Sequence, residues 1–523
     1  MEGATASHTA AEPTAHDGDS PRRETIELHR PVDGSTIRAV PIDPPDRVAE
    51  AVARVRAAQP EWEAIGIPGR RRWLARLRDW MIDNEGHLAD VMQEETGKVR
   101  AEAELEAPFI CGTINYYARH GAEFLAEETP TPHMLPLRVK RLRIVYRPYP
   151  VVGVISPWNF PIILAFDDAI PALVAGCAVV IKPSEFTPLS VMEIVRAWKE
   201  EIGGPDVLEV VNGVGETGGA LVDEVDFVQF TGSDRTGKVV MKRAADTLTP
   251  VSLELGGKDP LIVLADADLD RAVNATTTGA LANTGQICMA IERVYVEEPV
   301  YDEYVERLTQ AVGRVRQGDD GRSFKADVGA MTTPAQAEVV ADHVEDARGK
   351  GARVLTGGNR RDGPGDWYEP TVIADADHSM KVMTEETFGP VIPVMKVKDA
   401  DDAVRLANDT RYGLSASVFA GSSRRGEEIA RRLEAGAVNV NDVLTNYYAL
   451  GVPMGGWKES GIGFRHGSYG IKKFVRPESI VSPRVKQGKS DPLWFPYTAA
   501  KRRSIARVFR LMNARGIRRR LGL

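Results

Sequence analysis

The chain has 523 residues, of which 43% are hydrophobic and 27% are charged, and its formal net charge is -8 at pH 7. This length exceeds what one hydrophobic core usually supports, so we expect two large domains. The mixed, mildly acidic composition argues against a nucleic-acid partner and against a disordered chain. Cys111, Cys177 and Cys288 are too few for a disulfide framework, which favours a reduced, cytoplasmic location.

The N-terminal quarter divides into two kinds of sequence. Residues 1–23 are rich in Ala, Thr, Ser, Pro and charge without periodicity, which predicts a disordered leader. They lack an apolar core flanked by basic residues, and the chain has no run of about 18 apolar residues, so neither secretion nor membrane spanning is expected. From Val48 to Glu106, apolar residues recur at three- and four-residue spacing, which predicts amphipathic helices.

The middle of the chain alternates between short apolar runs and helical stretches such as Val191–Ile202. The first runs begin at Val151, Ala178, Val207 and Phe227. This alternation is typical of β-α-β units on a parallel sheet. It resumes after Glu254 in the segments PLIVLAD, RVYVEE, ARVLTGG, VIPVMKV and AVNVND, which predicts an α/β protein with two such layers in tandem.

The end of the chain is basic. From Lys501 to Leu523 it carries nine basic residues and no acidic ones, which leaves about -17 for the remainder. An amphipathic helix is predicted because four apolar side chains recur at i, i+3, i+4 and i+7. They are Ile505, Val508, Phe509 and Met512. Such a helix could dock on its own or a neighbouring subunit, or contact a membrane surface.

The stretch FTGSDRTGKV is one candidate phosphate loop. Gly232, Gly237 and Lys238 have the G-x-x-x-x-G-K spacing of a triphosphate loop, but Val239 stands where Ser or Thr would hold magnesium. A strand precedes this turn and a helix follows it. Two interpretations remain: a plain β-α turn, or a helix N-terminus that meets a pyrophosphate without metal, with Val239 on the inward face of the helix.

The stretch NGVGETGG is a second candidate. Gly213, Gly215 and Gly218 spell G-x-G-x-x-G after a predicted strand, which is the pattern of a dinucleotide-binding turn. The signal is weak alone, because a chain with 48 glycines produces such spacings by chance.

Cys288 and Glu254 are the candidates for chemistry. Cys288 lies among small and polar residues in NTGQICMAIER, whereas Cys111 and Cys177 lie in apolar surroundings typical of inert core cysteines. A nucleophilic cysteine needs a lowered pKa, a nearby base and donors for an oxyanion, and a simple turn residue is the alternative. Glu254, in SLELGGKDP, either caps the following turn or is a general base in a partly desolvated place.

Seven motifs, in order along the chain, together resemble the aldehyde dehydrogenase superfamily. They are PWNFP at 157–161, KPSE at 182–185, FTGS at 230–233, LELGGK at 253–258, GQIC at 285–288, EETFGP at 385–390 and GGWKESGIG at 455–463. The likeness extends from about Ile26 to Val481. It implies oxidation of an aldehyde to a carboxylic acid through a cysteine thiohemiacetal and a thioester.

The resemblance assigns three catalytic roles. Cys288 matches the nucleophile, and Asn159 matches the side chain that forms an oxyanion hole with the backbone N–H of Cys288. Glu254 matches the base that activates water to hydrolyse the thioester. No metal ligand set is expected.

The resemblance also implies a dinucleotide cofactor. Lys182 and Glu185 match the residues that hold the adenosine ribose, and a carboxylate there repels a 2′-phosphate, so NAD is expected in preference to NADP. The further candidate cofactor contacts are Trp158, Gly215, Ser233, Glu386 and Phe388.

The implied domains follow the family fold. Residues 24–129 and 148–256 would form the parallel-sheet NAD-binding domain, and 257–459 a second α/β catalytic domain. Residues 130–147 and 470–484 would form a small β oligomerisation arm, in which RVKRLRIVYR alternates as a strand does. Residues 485–523 would be a basic C-terminal extension, and the subunits would form a homodimer or homotetramer.

The substrate is expected to be a neutral apolar or aromatic aldehyde. The motif RHGSYG and the tail resemble bacterial relatives labelled succinate-semialdehyde dehydrogenases, but members that take that substrate commonly carry arginines in the substrate funnel. The corresponding places here are Asp167 and Ala282, and Asp167 would repel an acid group. Succinate semialdehyde, and a Cys288/Glu254 thiol esterase without redox chemistry, remain alternatives.

Overall fold

The computed structural model describes residues 24–491 and 493–521, without the side chains of residues 135 and 136. The predicted leader, 1–23, lies outside the described residues. The first half of the chain contains β1 (Thr25–His29), β2 (Thr36–Pro41), α1 (Pro45–Ala64), α2 (Gly66–Asp83), α3 (Glu85–Thr96), α4 (Arg100–Phe124), β3 (Lys140–Pro148), β4 (Val151–Ile155), α5 (Pro161–Ala175), β5 (Ala178–Lys182), α6 (Leu189–Glu200), β6 (Leu208–Val210), α7 (Gly215–Glu224), β7 (Phe227–Thr231), α8 (Asp234–Thr247) and β8 (Val251–Glu254).

The second half continues with a new series of strands and helices. They are β9 (Asp259–Val263), α9 (Leu269–Leu281), β10 (Ile291–Glu297), α10 (Tyr301–Val312), α11 (Pro334–Gly349), β11 (Arg353–Thr356), β12 (Thr371–Ala374), α12 (Lys381–Thr384), β13 (Val391–Val397), α13 (Ala400–Asn408), β14 (Tyr412–Gly413), β15 (Ser415–Phe419), α14 (Ser423–Ala430), β16 (Ala437–Val440), α15 (Thr445–Tyr448), β17 (Trp457–Lys458), β18 (Gly461–Ile462), α16 (Gly467–Lys472), β19 (Val475–Pro483), α17 (Ala499–Asn513) and α18 (Ile517–Leu521). Short 3-10 helices lie at Leu135–Val139 and Glu298–Val300, and Ala282–Gly285 is a tight turn in which Asn283 and Thr284 have non-helical backbone angles.

The first large sheet has the strand order β18-β8-β7-β4-β5-β6. Strands β4 to β8 are parallel, and β18 pairs antiparallel with β8 at one edge. Because the chain winds from β4 through β5 to β6 and then returns to the other side of β4, the order reverses between β4 and β7. Ligands of open α/β sheets bind in the crevice at such a reversal, outside the carboxyl ends of the strands.

The second large sheet has the order β11-β12-β13-β10-β9-β15-β16, with β11 antiparallel to its neighbour and the other strands parallel. Apolar side chains on its two faces form separate buried clusters, one against α11 and α13 and the other against α9 and α10. A third cluster packs α1–α5 against the first sheet. The prediction of an α/β protein with two layers is therefore confirmed.

The arm and the tail extend from these two layers. Strands β3 and β19 pair antiparallel over nine residues, from Val475↔Pro148 to Pro483↔Lys140. Helix α17 forms where the apolar periodicity predicts it, with Thr498 as its N-cap, and none of its side chains is buried. No helix in the described parts of the chain is both long and apolar enough to cross a bilayer.

Helix α8 corrects one prediction. Val239 is 60% exposed and not on the inward face, which is formed by Gly237, Val240 and Ala244. The buried residues Gly237, Val240 and Ala244 recur at three- and four-residue spacing, as expected for one face of a helix. Val239 lies off this face and points to the surface. Lys238 pairs with Glu459 at 2.8 Å, Nζ to Oε2, and so has a structural partner.

Candidate functional site

A cavity of about 320 Å³ lies at the strand-order reversal of the first sheet and is closed by loops of the second layer. Its lining consists of Pro157, Trp158, Asn159, Leu164, Thr231, Gly232, Ser233, Glu254, Leu255, Gly256, Cys288, Gln336, Val339, Glu386 and Phe388. The structure thus brings together all three predicted catalytic residues and four predicted cofactor contacts, from segments far apart in the chain.

Cys288 follows a tightly turned loop. Asn283, Thr284 and Gly285 all have positive φ angles, of 49°, 57° and 73°. The buried Glu102 carboxylate holds this loop by accepting the Asn283 backbone N–H at 2.5 Å. Burial raises the pKa of the Cys288 thiol to about 12, so formation of the thiolate requires a base close to Cys288.

Asn159 is fixed from both ends. Its side-chain Nδ2 donates to the Gln286 carbonyl at 2.8 Å, and its backbone carbonyl accepts from Lys98 Nζ at 2.9 Å. Lys98 is itself paired with Glu106 at 2.5 Å. An amide nitrogen carries two protons, so the Asn159 side chain retains one donor for a group in the cavity.

Glu254 is the last residue of β8 and is 2% exposed. Among the described residues, neither oxygen of its carboxyl group has a hydrogen-bond partner. Burial raises the pKa of Glu254 to about 7, while the neighbouring Arg465 and Lys473 cations oppose this rise. A carboxyl group that titrates near neutral pH and has free acceptor atoms suits a general base better than a cap.

The remaining cavity wall is polar and aromatic. Ser233 is the N-cap of α8 and accepts a hydrogen bond from the Thr236 N–H, so the first turn of the helix opens onto the cavity beside Gly232. Glu386 accepts from the Gly257 N–H at 3.0 Å, and burial raises its pKa to about 8. The Phe388 ring packs edge-on against Trp158 with centroids 5.5 Å apart.

Three predicted cofactor residues lie outside the cavity lining. Lys182 ends β5, and its Nζ donates to the Pro183 carbonyl at 3.0 Å and to Glu185 at 3.5 Å. Gly215 begins α7, and a Cβ placed on Gly218 would lie 3.6 Å from Lys182 Cδ. The three therefore share a neighbouring surface, formed by the carboxyl end of β5 and the start of α7.

A second, smaller cavity of about 60 Å³ lies on the other side of Cys288. It is lined by Asn159, Phe160, Ile163, Leu164, Ile287, Cys288, Met289, Leu444, Tyr447 and Tyr448. No charged side chain is part of this lining, and most of it is aliphatic or aromatic. Cys288 thus stands between a polar cavity and an apolar one.

Asp167 and Ala282 are the positions that correspond to the substrate-binding arginines of some relatives. Neither residue lines this apolar cavity. The Asp167 carboxylate is buried and accepts hydrogen bonds from Thr113 at 3.1 Å and Tyr447 at 3.2 Å. It also lies 2.8 Å from His466 Nε2. Asp167 is therefore a support for Tyr447, and its charge does not face the substrate directly.

Several residues that shape the site were not predicted from the sequence. They are Lys98, Glu102, Glu106, Glu292, Gln336, Tyr447 and Arg465. Lys98, Glu102 and Glu106 belong to a segment with a surface-helix pattern, where charged residues are usually solvated. Their burial arises from contacts with loops more than 50 positions away, for which the local sequence has no signal.

Comparison with known proteins gives a consistent family. The sequence profile described as "Aldehyde dehydrogenase family" matches residues 18–480. A Mycobacterium ulcerans protein assigned by name as succinate-semialdehyde dehydrogenase [NADP(+)] 2 is 39% identical over 471 residues, which are 89% of this chain and 90% of that protein. The 4,4'-diapolycopene aldehyde oxidase of a Methylomonas species is 38% identical over 479 residues, 91% of this chain and 89% of that protein.

A solved structure shows the same fold. The aldehyde dehydrogenase PutA of Anabaena variabilis superposes with a TM-score of 0.86 at 39% sequence identity, and the match covers 90% of this chain and all of that one.

The unpaired Glu254 carboxyl group generates a stability prediction. A folded-state pKa of about 7, against the ordinary 4.5, means that folding stability is lost as pH rises through this range. Glu254→Gln removes this penalty, so the variant should be more stable than wild type at pH 8, by up to about 3 kcal/mol, and little changed at pH 4.5. Thermal or denaturant unfolding at both pH values measures this. Glu216→Gln, which removes an exposed carboxylate, is the matched control, and an equal effect of Glu254→Gln at both pH values would contradict the assignment.

Proposed function

Because the chain belongs to the aldehyde dehydrogenase family and oxidises aldehydes to carboxylic acids, we propose that it acts on neutral apolar or aromatic aldehydes with NAD. The observation that carries this proposal is the position of Cys288 between the polar cavity and the apolar cavity, with Glu254 and Asn159 beside it.

In the first step, Cys288 Sγ forms a bond to the aldehyde carbon. Its proton must leave, and the nearby Glu254 carboxylate is the base available to take it. The Asn159 side-chain amide and the backbone N–H of Cys288 stabilise the alkoxide that develops on the former carbonyl oxygen. Lys98 contributes by fixing the Asn159 backbone through its 2.9 Å hydrogen bond.

The polar cavity fits a dinucleotide. The first turn of α8 supplies N–H groups at a helix N-terminus, which favours a pyrophosphate next to Gly232 and Ser233. Glu386 would accept hydrogen bonds from a ribose, and Gly256 leaves room for it, since a Cβ there would lie 2.4 Å from Glu386 Oε2. A dinucleotide held by these residues would supply the acceptor for a hydride from the carbon attached to Sγ.

The last step is hydrolysis of the thioester left on Cys288. Once the proton taken from Cys288 has passed to solvent, Glu254 takes a proton from water, the water oxygen bonds to the acyl carbon, and the C–S bond breaks so that its electron pair returns to sulfur. The product is a carboxylic acid, and the unpaired oxygens of Glu254 are the acceptors that this step requires.

The apolar cavity supports the substrate class. It offers Tyr447, Tyr448 and Leu444 to the remainder of the aldehyde and no cation to a second carboxylate. The Methylomonas relative is named for an apolar substrate, diapolycopene aldehyde, which agrees with this choice. The relative named for succinate semialdehyde favours the alternative, so the two substrates need a direct comparison.

The preference for NAD rests on Glu185. Its carboxylate, held near Lys182, suits the two hydroxyls of an adenosine ribose and repels a 2′-phosphate. The name of the mycobacterial relative specifies NADP, so this preference is open to test.

The arm and the tail support an assembly. Strands β3 and β19 form a ribbon with Ile480 and Val481 exposed, which fits an arm that joins subunits into a dimer or tetramer. We further propose that α17 contacts an anionic membrane surface, because the helix is rich in basic residues and its apolar side chains Val508, Phe509 and Leu511 are exposed. An exposed aromatic segment, Trp494, Phe495 and Tyr497, precedes it.

The function is tested with a panel of aldehydes. Wild type should reduce NAD with hexanal and benzaldehyde at a kcat/KM at least about tenfold above that with succinate semialdehyde, because only apolar groups match the cavity. Cys288→Ala should reduce no NAD, and Cys111→Ala should retain activity. Aldehyde oxidation by Cys288→Ala would contradict a mechanism in which Cys288 is the nucleophile. Cleavage of activated esters without any aldehyde oxidation would favour the esterase.

The cofactor is tested at Glu185. Glu185→Ser should raise the ratio of kcat/KM with NADP to that with NAD by about tenfold or more, because the repulsive carboxylate is removed. Glu200→Ser, which removes an exposed carboxylate at the end of α6, should leave the ratio unchanged. A wild type that prefers NADP, or a ratio unmoved in Glu185→Ser, would refute the choice of NAD.

The tail is tested by vesicle flotation. The full chain should float with phosphatidylglycerol vesicles and not with phosphatidylcholine vesicles, and a chain that ends at Asp491 should float with neither. Equal flotation of the full and the truncated chain would refute the membrane proposal. A change of oligomer size on truncation, without flotation, would assign α17 to a neighbouring subunit.

A further inference from the structure

A buried ionic cluster lies behind Glu254 in the first sheet. Arg465 is 1% exposed, and its Nε donates to Asp168 Oδ2 at 2.8 Å while Nη2 approaches the same oxygen at 2.7 Å. Lys473 Nζ donates to the other Asp168 oxygen and to Gln229, both at 2.7 Å. Asp168 is therefore saturated by two cations that reach it from the segment after β18.

The sheet register places the Arg465 guanidinium beside Glu254. Its Nη2 also donates to the Thr231 hydroxyl. Thr231 and Glu254 are register partners on the parallel strands β7 and β8, which lie about 4.8 Å apart. Register partners point to the same face of a sheet, and both residues line the polar cavity. The guanidinium is thus anchored on the direct neighbour of the Glu254 side chain.

Arg465 and Glu254 both have buried polar atoms without a hydrogen-bond partner. Among the described residues, Arg465 Nη1 and both Glu254 oxygens are buried without a hydrogen-bond partner. A buried donor or acceptor left unpaired costs about 1–3 kcal/mol, and more when it is charged. Such a cost at two groups of opposite charge that influence each other is consistent with a functional role for both.

We propose that Arg465 is a positioning residue for thioester hydrolysis: held by Asp168 and Thr231, its guanidinium stabilises the Glu254 carboxylate, the form that takes a proton from water. This rests on the function proposed above for Glu254. Arg465 exchanges no proton itself. It favours the ionised base from behind the cavity wall, since Arg465 itself is not part of the cavity lining.

The surrounding charges determine the size of this effect. Arg465 and Lys473 favour the Glu254 carboxylate, whereas Asp168 and Asp167 oppose it, and Arg465 gives the largest favourable contribution. Lys473 cannot replace Arg465, because its ammonium group is already shared between Asp168 and Gln229. A lysine at position 465 would keep the charge but lose the fork that binds Asp168 and Thr231 together.

The test separates acylation from hydrolysis. Arg465→Met should keep the amplitude of the first-turnover burst of reduced nicotinamide from an aldehyde, since hydride transfer precedes hydrolysis. The rate of the burst should fall, because Glu254 also takes the Cys288 proton. Hydrolysis of the acyl-enzyme formed from p-nitrophenyl acetate should slow at least about tenfold at pH 7. The apparent pKa of this hydrolysis should rise by about 1–3 units, as expected when a cation that favours a carboxylate is removed. Arg465→Lys should recover part of the shift.

Controls distinguish this role from a structural one. Arg293 is buried and bound to backbone carbonyls in the second sheet, so Arg293→Met should lower stability without moving the pH profile of hydrolysis. If Arg465→Met does not fold, Thr231→Val removes the anchoring hydroxyl and should give a smaller alkaline shift. An unshifted profile in folded Arg465→Met, or in Thr231→Val, overturns the proposal. Inactivity of wild type towards both aldehydes and esters would instead refute the proposed function.

Discussion

The Glu254 carboxyl group is buried at the carboxyl end of β8, and among the described residues neither of its oxygens has a hydrogen-bond partner. The neighbouring backbone keeps this group buried. Strand β18 pairs with β8 at Gly461↔Glu254 and closes the edge of the sheet over this residue. That pairing needs glycine, because φ is 151° at Gly461 and a Cβ there would lie 2.2 Å from the Leu253 carbonyl. The edge strand thus excludes bulk water from a group whose pKa burial has raised to about 7.

Other buried glutamates of this protein have the opposite environment. Glu106 accepts the backbone N–H groups of Ile162 and Ile163 at the start of α5, at 3.0 and 3.1 Å. Glu292 accepts two N–H groups, of Thr387 and Phe388, each at 2.8 Å, and so fixes the loop that carries Phe388. These carboxylates saturate helix or loop donors and organise the walls of the cavity. Glu254 has no such donors, so both of its oxygens keep their full acceptor capacity for a reactant.

The fold could be predicted where the chain follows local periodicity. The strands that begin at Val151, Ala178 and Phe227 were predicted within a residue of their observed starts, because buried parallel strands are short apolar runs between turn signals. Strands β12 and β15 were missed. Their sequences, TVIA and SASVF, are short or contain small polar residues, and only the neighbouring strands bury them.

The candidate site was predictable only in part, for a related reason. Cys288, Glu254 and Asn159 carry motifs, but whether their neighbours activate them depends on tertiary contacts. Arg465 illustrates this. Its residue type is ordinary for a surface turn, and its significance arises from burial against Asp168, almost 300 positions earlier in the chain. A basic residue without a local pattern is indistinguishable from a solvated one until the sheet is assembled.

The apolar cavity places a final constraint on how substrate enters. Its volume of about 60 Å³ holds only a few waters, so an aldehyde of six or more carbons requires side chains to move. Tyr447 is tied to Asp167 by a hydrogen bond and packs against Phe109 with ring centroids 5.4 Å apart, which makes it the fixed wall. Tyr448 is 55% exposed, so its ring can rotate outward at little cost in buried area. Tyr447 would then keep the aldehyde carbon at Cys288, while an outward rotation of Tyr448, away from Phe109, would admit apolar groups of different length.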